Sequence, residues 1–151
     1  MRVYLMQHGE AKSETEDPER SVTVRGEEET RKISGAAKRL GIRPSRIYDS
    51  GKKRAEQTAG IVASALGMSA QHGQGLNPND DVRLWVERIS RETEDLMIVG
   101  HLPFLEKLAS FLVCGDEGAK VVLFRYSAIL CLERKESERW AVDWFLKPEM
   151  A

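Results

Sequence analysis

Two histidines of this 151-residue chain follow short apolar runs, each beside a glycine. His8 follows the run Val3–Met6 and precedes Gly9, and His101 follows the run Leu96–Val99. An apolar run of this length that stops at a glycine is typical of a buried strand whose end turns sharply. Such a strand end holds an imidazole on a stiff scaffold above the sheet. Neutral imidazole has a reference pKa of about 6.5 and a free lone pair at pH 7, so it can act as a nucleophile or donate a hydrogen bond.

A third candidate group, the guanidinium of Arg54, follows the strand-like run Ile47–Ser50 and begins a predicted helix. A helix N-terminus favours anions, and a guanidinium presents a planar fork of donors. Because parallel strands end on one side of a sheet, we expect the three side chains to meet there. Taken singly, each also fits a structural role: the two histidines as turn residues, and Arg54 as a surface residue at a helix end.

Four segments together resemble the ordered motifs of the histidine phosphatase superfamily: His8–Ala11, Thr23–Gly26, Ser50–Thr58 and Gly100–Pro103. One such motif alone carries little weight, whereas four in the family's order and at compatible spacing are specific. The resemblance extends from residue 1 to about residue 148. The short chain resembles the phosphohistidine phosphatases of the SixA type more than the longer phosphoglycerate mutases or acid phosphatases.

This resemblance implies a role for each candidate group. His8 would attack phosphorus and form a covalent phosphohistidine, which divides hydrolysis into two easier steps. Arg54 and His101 would donate hydrogen bonds to the phosphoryl oxygens, over which the charge of the transferring group is spread. The reaction needs no cofactor, and no cluster of His, Cys, Asp and Glu has the spacing of a metal site.

The chain departs from the family pattern at Gln7, where relatives carry arginine immediately before the first histidine. Glutamine keeps a hydrogen-bond donor but loses the permanent charge. Replacing a charge-assisted bond with a neutral one loses roughly one or two kcal/mol, which corresponds to roughly fivefold to thirtyfold in rate. Arg20 matches an arginine of the short family members and would restore a positive charge. Gln7 and Arg20 are therefore the other two expected phosphate-binding residues.

The sequence does not select a general acid. Glu10, Asp80 and Asp81 are candidates, without a spacing that distinguishes one of them. A phosphohistidine substrate reduces the need for an acid, because protonation of its far ring nitrogen makes imidazole a good leaving group. The third histidine, His72, lies in a loop-like stretch and is expected to be structural or exposed.

Composition and charge indicate a soluble globular chain of one domain, residues 1–151, which we expect to be a monomer. Hydrophobic residues make up 41% and charged residues 31%, and the formal net charge is −1. No global basic field favours binding to nucleic acid or to an anionic membrane. No apolar run approaches ~20 residues, and the first residues lack the pattern of a signal peptide. Cys114 and Cys131 lie in apolar surroundings and are predicted to be buried thiols in a reducing compartment, the cytoplasm.

Helical periodicity predicts four helices between the strands. The first runs from its N-cap Thr23 to Gly41, and the second spans residues 54–66. The third begins at Asn79 or Asp80, and the fourth has Pro103 in its first turn. The positions predicted to face the core are Ile33, Ala36, Ala37 and Leu40 in the first helix, Ala55, Thr58, Ala59, Val62, Ala65 and Leu66 in the second, Val82, Trp85 and Ile89 in the third, and Leu105, Leu108, Ala109 and Leu112 in the fourth.

Two strand-like runs lie near the C-terminus, Ala128–Leu132 and Trp140–Phe145, with a charged turn at residues 135–138 between them. This pattern predicts an antiparallel hairpin. Together with the alternating strands and helices before it, the hairpin indicates an α/β fold: a three-layer α/β sandwich with a mostly parallel central sheet.

Our leading hypothesis is a phosphatase that hydrolyses phosphohistidine on proteins and acts in signal transduction. Its partner would be a phosphorylated protein such as a histidine phosphotransfer domain. The short chain leaves little material for a cap over the site, which favours a protein substrate. The nearest alternative is a phosphomonoesterase for small molecules. Gln7 also permits a catalytically weak module that binds phosphorylated partners.

Overall fold

Strands and helices alternate through most of the chain in this computed structural model, which describes residues 1–136 and 139–151. The elements are β1 (Arg2–Gln7), α1 (Val24–Arg39), β2 (Arg46–Asp49), α2 (Lys53–Ala65), β3 (Ala70–His72), α3 (Arg83–Arg91), β4 (Leu96–Gly100), α4 (Phe104–Cys114), β5 (Ile129–Arg134), β6 (Trp140–Leu146) and a short 3-10 helix (Pro148–Met150). The short exposed strand β3 has no counterpart among the predicted elements.

The strands form a six-stranded sheet in the order β3-β2-β4-β1-β5-β6. Strands β1 to β4 are parallel to one another, whereas β5 pairs antiparallel with both β1 and β6. The predicted mostly parallel sheet with a C-terminal antiparallel hairpin is therefore confirmed. Of the turn predicted between the last two strands, Ser137 and Glu138 lie outside the described residues.

Both faces of the sheet are covered by helices, which makes the fold a three-layer sandwich. Val3 and Leu5 of β1 face a core that contains residues of α3 and α4. Tyr4 and Met6 face a second core that contains residues of α1 and α2. Because successive residues of a strand point to opposite faces, a strand covered on both faces is apolar throughout. This explains the uninterrupted apolar run that precedes His8.

Helix α1 has the predicted caps but differs from the prediction at Leu40. The Thr23 hydroxyl accepts the backbone N–H of Gly26 at 2.9 Å, as expected of an N-cap. At the other end, Gly41 has φ +72°, and the N–H of Ile42 donates to the carbonyl of Ala37. This Schellman arrangement turns the chain back onto the helix, so Ile42 is buried. Leu40, predicted to be buried, is 61% exposed because it lies beyond the last helical residue.

Helix α3 begins at Arg83, after the predicted Asn79 or Asp80. The carboxylate of Asp80 accepts the N–H of Asn77, and that of Asp81 accepts the N–H of Arg83. These short-range bonds hold the preceding residues in turns, which compete with helix formation. Acidic residues at this point therefore end a loop before the helix begins.

Helix α4 also differs from the prediction at both ends. Pro103 precedes the helix as its cap residue, whereas it was predicted in the first turn. Cys114, predicted to be buried, is exposed because it is the last residue of α4, where the helix leaves the core. Cys131 is buried in β5, as predicted. Like the other helices in the described part of the chain, α4 is not long and apolar enough to cross a membrane.

Two glycines allow the segment after β1 to pack against the start of α1. A Cβ added at Gly9 would lie 2.8 Å from the Thr30 hydroxyl. A Cβ added at Gly26 would meet the backbone of Glu10, with the nitrogen at 2.9 Å and the carbonyl oxygen closer still. Because backbone atoms cannot swing aside as a flexible side chain can, this contact requires glycine at position 26.

We predict that Gly26→Ala lowers the free energy of unfolding by about 1–3 kcal/mol, because the added methyl group overpacks the contact with Glu10. Gly60→Ala is the matched control, since nothing lies within 4 Å of a Cβ at that exposed position of α2. There the helix propensity of alanine should stabilise the protein by about 0.5–1 kcal/mol. Urea unfolding followed by circular dichroism measures both. Equal stability of the Gly26→Ala protein and wild type would contradict the close approach.

Candidate active site

The sheet brings His8 and His101 together. Gln7 of β1 lies opposite Gly100 of β4 in the parallel ladder, so the next residue of each strand leaves the sheet at the same edge. The N–H of His8 donates to the carbonyl of Gly100 at 2.9 Å, which ties the two strand ends to each other. The centroids of the two imidazole rings are 5.1 Å apart.

His8 is 6% exposed, and its hydrogen bonding defines which ring nitrogen can react. Nδ1 lies 2.7 Å from the carbonyl oxygen of Gly9. Because a carbonyl only accepts, Nδ1 carries the proton and Nε2 keeps its lone pair. Burial, together with the charges of Arg54 and Arg20, lowers the pKa of His8 to about 4, although the hydrogen bond to Gly9 acts in the opposite direction. At pH 7 the ring is therefore neutral and its Nε2 is nucleophilic.

His101 is 1% exposed and lies beside both His8 and β2. Its Nε2 is 2.6 Å from the hydroxyl oxygen of Ser50. Its Nδ1 is buried and has no hydrogen-bond partner among the described residues. Burial lowers the pKa of His101 to about 3, with additional contributions from His8 and Arg54. His101 is therefore a second neutral imidazole at pH 7.

Arg54 is half-buried in the first turn of α2, and Thr58 connects this turn to the first histidine. The N–H of Gly9 donates to the Thr58 hydroxyl at 2.9 Å, and that hydroxyl donates to the carbonyl of Arg54 at 2.7 Å. The Nε of Arg54 is buried without a partner among the described residues. Burial lowers the pKa of Arg54, as does the neighbouring charge of Arg20.

Gln7 and Arg20 belong to different elements, β1 and the loop before α1. Gln7 is 7% exposed at the end of β1, and its Oε1 is buried without a partner in the described part of the chain. Arg20 belongs to the loop before α1, has φ +51° and donates its Nε–H to the carbonyl of Lys12 at 3.2 Å. Its charge acts on both His8 and His101. A permanent cation is therefore present within electrostatic range of the pair, although not at position 7.

A cationic cavity of about 330 Å³ opens beside Arg54. Lys52 and Lys53 are exposed and line this cavity. Lys53 also lies 3.8 Å from the carboxylate of Glu19. The remaining lining residues are Glu14, Pro18, Glu19 and Arg20.

This arrangement suits an anion of the size of phosphate. A buried polar atom without a partner is rare in folded proteins, yet Nε of Arg54 and Nδ1 of His101 both lack one among the described residues. Oε1 of Gln7 also lacks one, but an amide oxygen only accepts and would not bind an anion. An oxyanion bound here would accept hydrogen bonds from Nε of Arg54 and from Nδ1 of His101. Among the described residues, no group of three or more His, Cys, Asp and Glu side chains could hold a metal ion.

The structure places the three candidate acids differently. Glu10 lies beside the site in sequence, and its carboxylate accepts the Thr23 hydroxyl at 2.9 Å. Asp80 and Asp81 accept the backbone N–H groups that shape the turns before α3. Each carboxylate is therefore engaged locally, and the geometry selects none of them as an acid.

The sequence did not predict the site contacts of three residues, Ser50, Thr58 and Tyr126. Ser50 ends the run before α2, as His8 and His101 end theirs, so its position was a usable signal. Thr58 is a polar residue within an apolar helical stripe. Tyr126 lies on the loop before β5, is 42% exposed and has its ring centroid 5.7 Å from that of His8. No local pattern indicates this last contact.

His72 is exposed, as expected. It is the last residue of β3 and pairs with Asp49 at the end of β2. Its Nδ1 lies 2.5 Å from the carboxylate of the buried Asp49. This hydrogen bond, together with the negative charge of Asp49, raises the pKa of His72. The pKa of His72 is therefore shifted in the opposite direction to those of His8 and His101.

Comparisons with known proteins agree with this geometry. Residues 3–80 match the model of the histidine phosphatase superfamily, branch 1. An uncharacterised protein of Picosynechococcus sp. is 34% identical over 126 residues, which cover 78% of this chain and 76% of that protein. The protein histidine phosphatase SixA complexed with tungstate has a similar structure, with a TM-score of 0.85, 28% identity and coverage of 98% and 97% of the two chains. The alpha-ribazole phosphatase from Shigella flexneri, at 14% identity, a TM-score of 0.81 and coverage of 98% and 97%, shares the fold.

We predict that NMR titration will separate the three histidines. His8 and His101 should remain neutral at pH 5, because burial disfavours the imidazolium, whereas His72 should titrate above the ordinary value of 6.5. Because folding depresses the first two pKa values, the unfolded chain binds more protons, and stability should fall as pH drops from 6.5 towards 4. Titration of His8 near 6.5 in the folded protein would contradict the buried site.

Proposed function

Since the chain belongs to the histidine phosphatase superfamily and is a phosphatase of that family, we propose that it hydrolyses phosphohistidine on proteins. His8 is the nucleophile and forms a covalent phosphohistidine intermediate. The observation that carries the proposal is the neutral His8 ring, whose Nδ1 is bonded to Gly9 and whose Nε2 keeps its lone pair. Arg54 and His101 adjoin it as donors.

In the first step, the Nε2 lone pair of His8 forms a bond to phosphorus. The P–N bond of the substrate breaks, and its electron pair stays on the ring nitrogen of the leaving histidine. A proton on the far nitrogen of that ring makes the leaving imidazole neutral. The phosphorylated His8 keeps its own proton on Nδ1, where the Gly9 carbonyl holds it. It therefore resembles the substrate and is an equally good leaving group for the second step.

In the second step, water attacks phosphorus and the bond to Nε2 breaks. The electron pair returns to Nε2, and the proton of water leaves with phosphate or to solvent. In both steps the charge of the transferring group is spread over three oxygens. Arg54, His101 and the nearby charge of Arg20 stabilise it.

The local hydrogen bonds of the three candidate acids support a phosphohistidine substrate. A phosphate ester needs a proton on its leaving oxygen, and a positioned acid normally supplies it. Glu10, Asp80 and Asp81 are instead bound to local groups. An imidazole that leaves with its own proton avoids this requirement.

The cationic cavity beside Arg54 supports a protein substrate. Lys52, Lys53 and Arg20 would meet an acidic surface around the phosphorylated histidine of a partner, such as a histidine phosphotransfer domain. The similar SixA structure is that of a protein histidine phosphatase. A monomer that acts in signal transduction in the cytoplasm, without nucleic acid or membrane partners, remains our prediction.

Two other functions are tested against this proposal. The first is a small-molecule phosphomonoesterase, because the chain shares its fold with the Shigella flexneri enzyme. The second is a module that binds phosphorylated partners without turnover, because the buried Gln7 stands where relatives carry arginine. Rates of phosphate release from phosphohistidine protein and from simple phosphate esters distinguish the three, because the module releases none and the esterase prefers esters.

We predict that His8→Ala abolishes phosphate release, because it removes the nucleophile. His8→Asn should do the same and keep the fold, since its amide can still donate a hydrogen bond near Gly9. Malachite-green detection of phosphate and circular dichroism measure the two properties. Wild-type rates in either purified variant would place the nucleophile elsewhere.

We predict that Gln7→Arg strengthens tungstate binding and raises turnover by about tenfold, because a charge-assisted donor replaces a neutral one beside His8. Arg20→Ala should weaken binding by more than this factor. Gln7→Arg should restore much of this loss, with a larger gain in the Arg20→Ala protein than in wild type, where Arg20 already supplies a positive charge. Calorimetric titration of wild type, both single variants and the pair at fixed ionic strength completes a double-mutant cycle. Additive effects would show that Arg20 does not compensate for Gln7. A loss of both affinity and turnover in Gln7→Arg would favour the binding module.

A further inference from the structure

We propose that Ser50 is a positioning residue that holds His101 in the tautomer with its proton on Nδ1, so that this nitrogen donates to the bound anion. The inference rests on the proposed function only in taking that anion to be the phosphoryl group. Ser50 itself does not touch the reacting atoms. It acts through the imidazole of His101.

The hydroxyl of Ser50 lies within hydrogen-bond distance of the His101 ring. The two atoms, Oγ and Nε2, are 2.6 Å apart. The backbone N–H of Lys52 donates to the same Oγ at 3.3 Å. A hydroxyl accepts through its lone pairs and donates one hydrogen. The Lys52 N–H uses one lone pair of Oγ, and among the described residues Nε2 is the acceptor within reach of the hydroxyl hydrogen, so we take Ser50 to donate and Nε2 to accept.

The position of the ring proton follows from the neutrality of the ring. His101 is buried, and its pKa is lowered to about 3, so it carries a single ring proton at pH 7. If Nε2 accepts, that proton is on Nδ1. Nδ1 is the ring atom that is buried without a partner among the described residues. In the opposite tautomer an Nδ1 lone pair would face the anion, which is repulsive.

The turn that contains Ser50 is itself held in place. The carboxylate of Asp49 accepts the N–H of Gly51 at 2.8 Å and lies against Nδ1 of His72. Gly51 has φ +84°, which glycine adopts without strain. The serine hydroxyl is therefore presented to His101 by a fixed turn at the end of β2, and the same turn leads into the helix of Arg54.

Three variants test the role of Ser50. Ser50→Ala removes the hydroxyl, Ser50→Thr restores it, and Ser64→Ala is a matched control at an exposed position of α2. Nitrogen NMR of histidine-labelled protein reports the protonated nitrogen of each ring. The chain has only three histidines, so a variant of each assigns its signals.

We expect wild type, Ser50→Thr and Ser64→Ala to show His101 protonated on Nδ1. Ser50→Ala should shift His101 towards protonation on Nε2 and weaken tungstate binding about tenfold, because a donor becomes an acceptor. Its thermal unfolding should stay close to that of wild type, which separates positioning from a loss of folding. Threonine should restore both the tautomer and the affinity.

Two results would overturn the proposal: a wild-type His101 protonated on Nε2, or a Ser50→Ala protein whose His101 tautomer matches that of wild type. The tautomer is measured in the free protein, so it does not depend on the substrate. A wild-type protein that shows the expected tautomer but releases no phosphate from phosphohistidine would refute the proposed substrate and support the role of Ser50.

Discussion

The parallel pairing of β1 with β4 determines the distance between the two buried histidines. Gln7 and Gly100 are opposite each other, and the N–H of His8 continues the ladder to the Gly100 carbonyl. A slip of one residue would move the side chains of a strand to the other face of the sheet. Both faces are packed against helices, so such a slip would bury the wrong residues on each side. The same packing that stabilises the sheet therefore positions the two rings.

Burial gives the two imidazoles complementary roles. It lowers both pKa values far enough that each ring is neutral at pH 7. A neutral ring has one donor and one acceptor nitrogen, and the neighbours decide which is which. The Gly9 carbonyl accepts from His8 and leaves a lone pair, whereas Ser50 occupies the other nitrogen of His101 and leaves a donor. In the proposed mechanism, two residues of the same type thus serve as a nucleophile and an anion-binding group.

The sequence predicted those features of the helices that depend on neighbouring residues, and it was less accurate for features that depend on tertiary packing. The Thr23 cap depends on the first turn of one helix, and the structure contains the expected bond. The prediction that Leu40 is buried was wrong because the helix ends at Arg39, one residue before Leu40, and helical periodicity does not show that end. The prediction that Cys114 is buried was wrong because apolar neighbours in the sequence do not show where a helix leaves the core. The short strand β3 carries no apolar pattern and exists through its pairing with β2.

The sequence by itself determined the family, the fold class and the residue types that stand at the strand ends, because these follow from apolar runs, glycines and ordered motifs. Only the tertiary structure decided how those residues act together. The contacts of His101 with Ser50 and of Gly9 with Thr58 join residues about fifty positions apart. Neutral rings, their tautomers and the buried donors of Arg54 and His101 depend on desolvation, and desolvation is a property of the packed molecule.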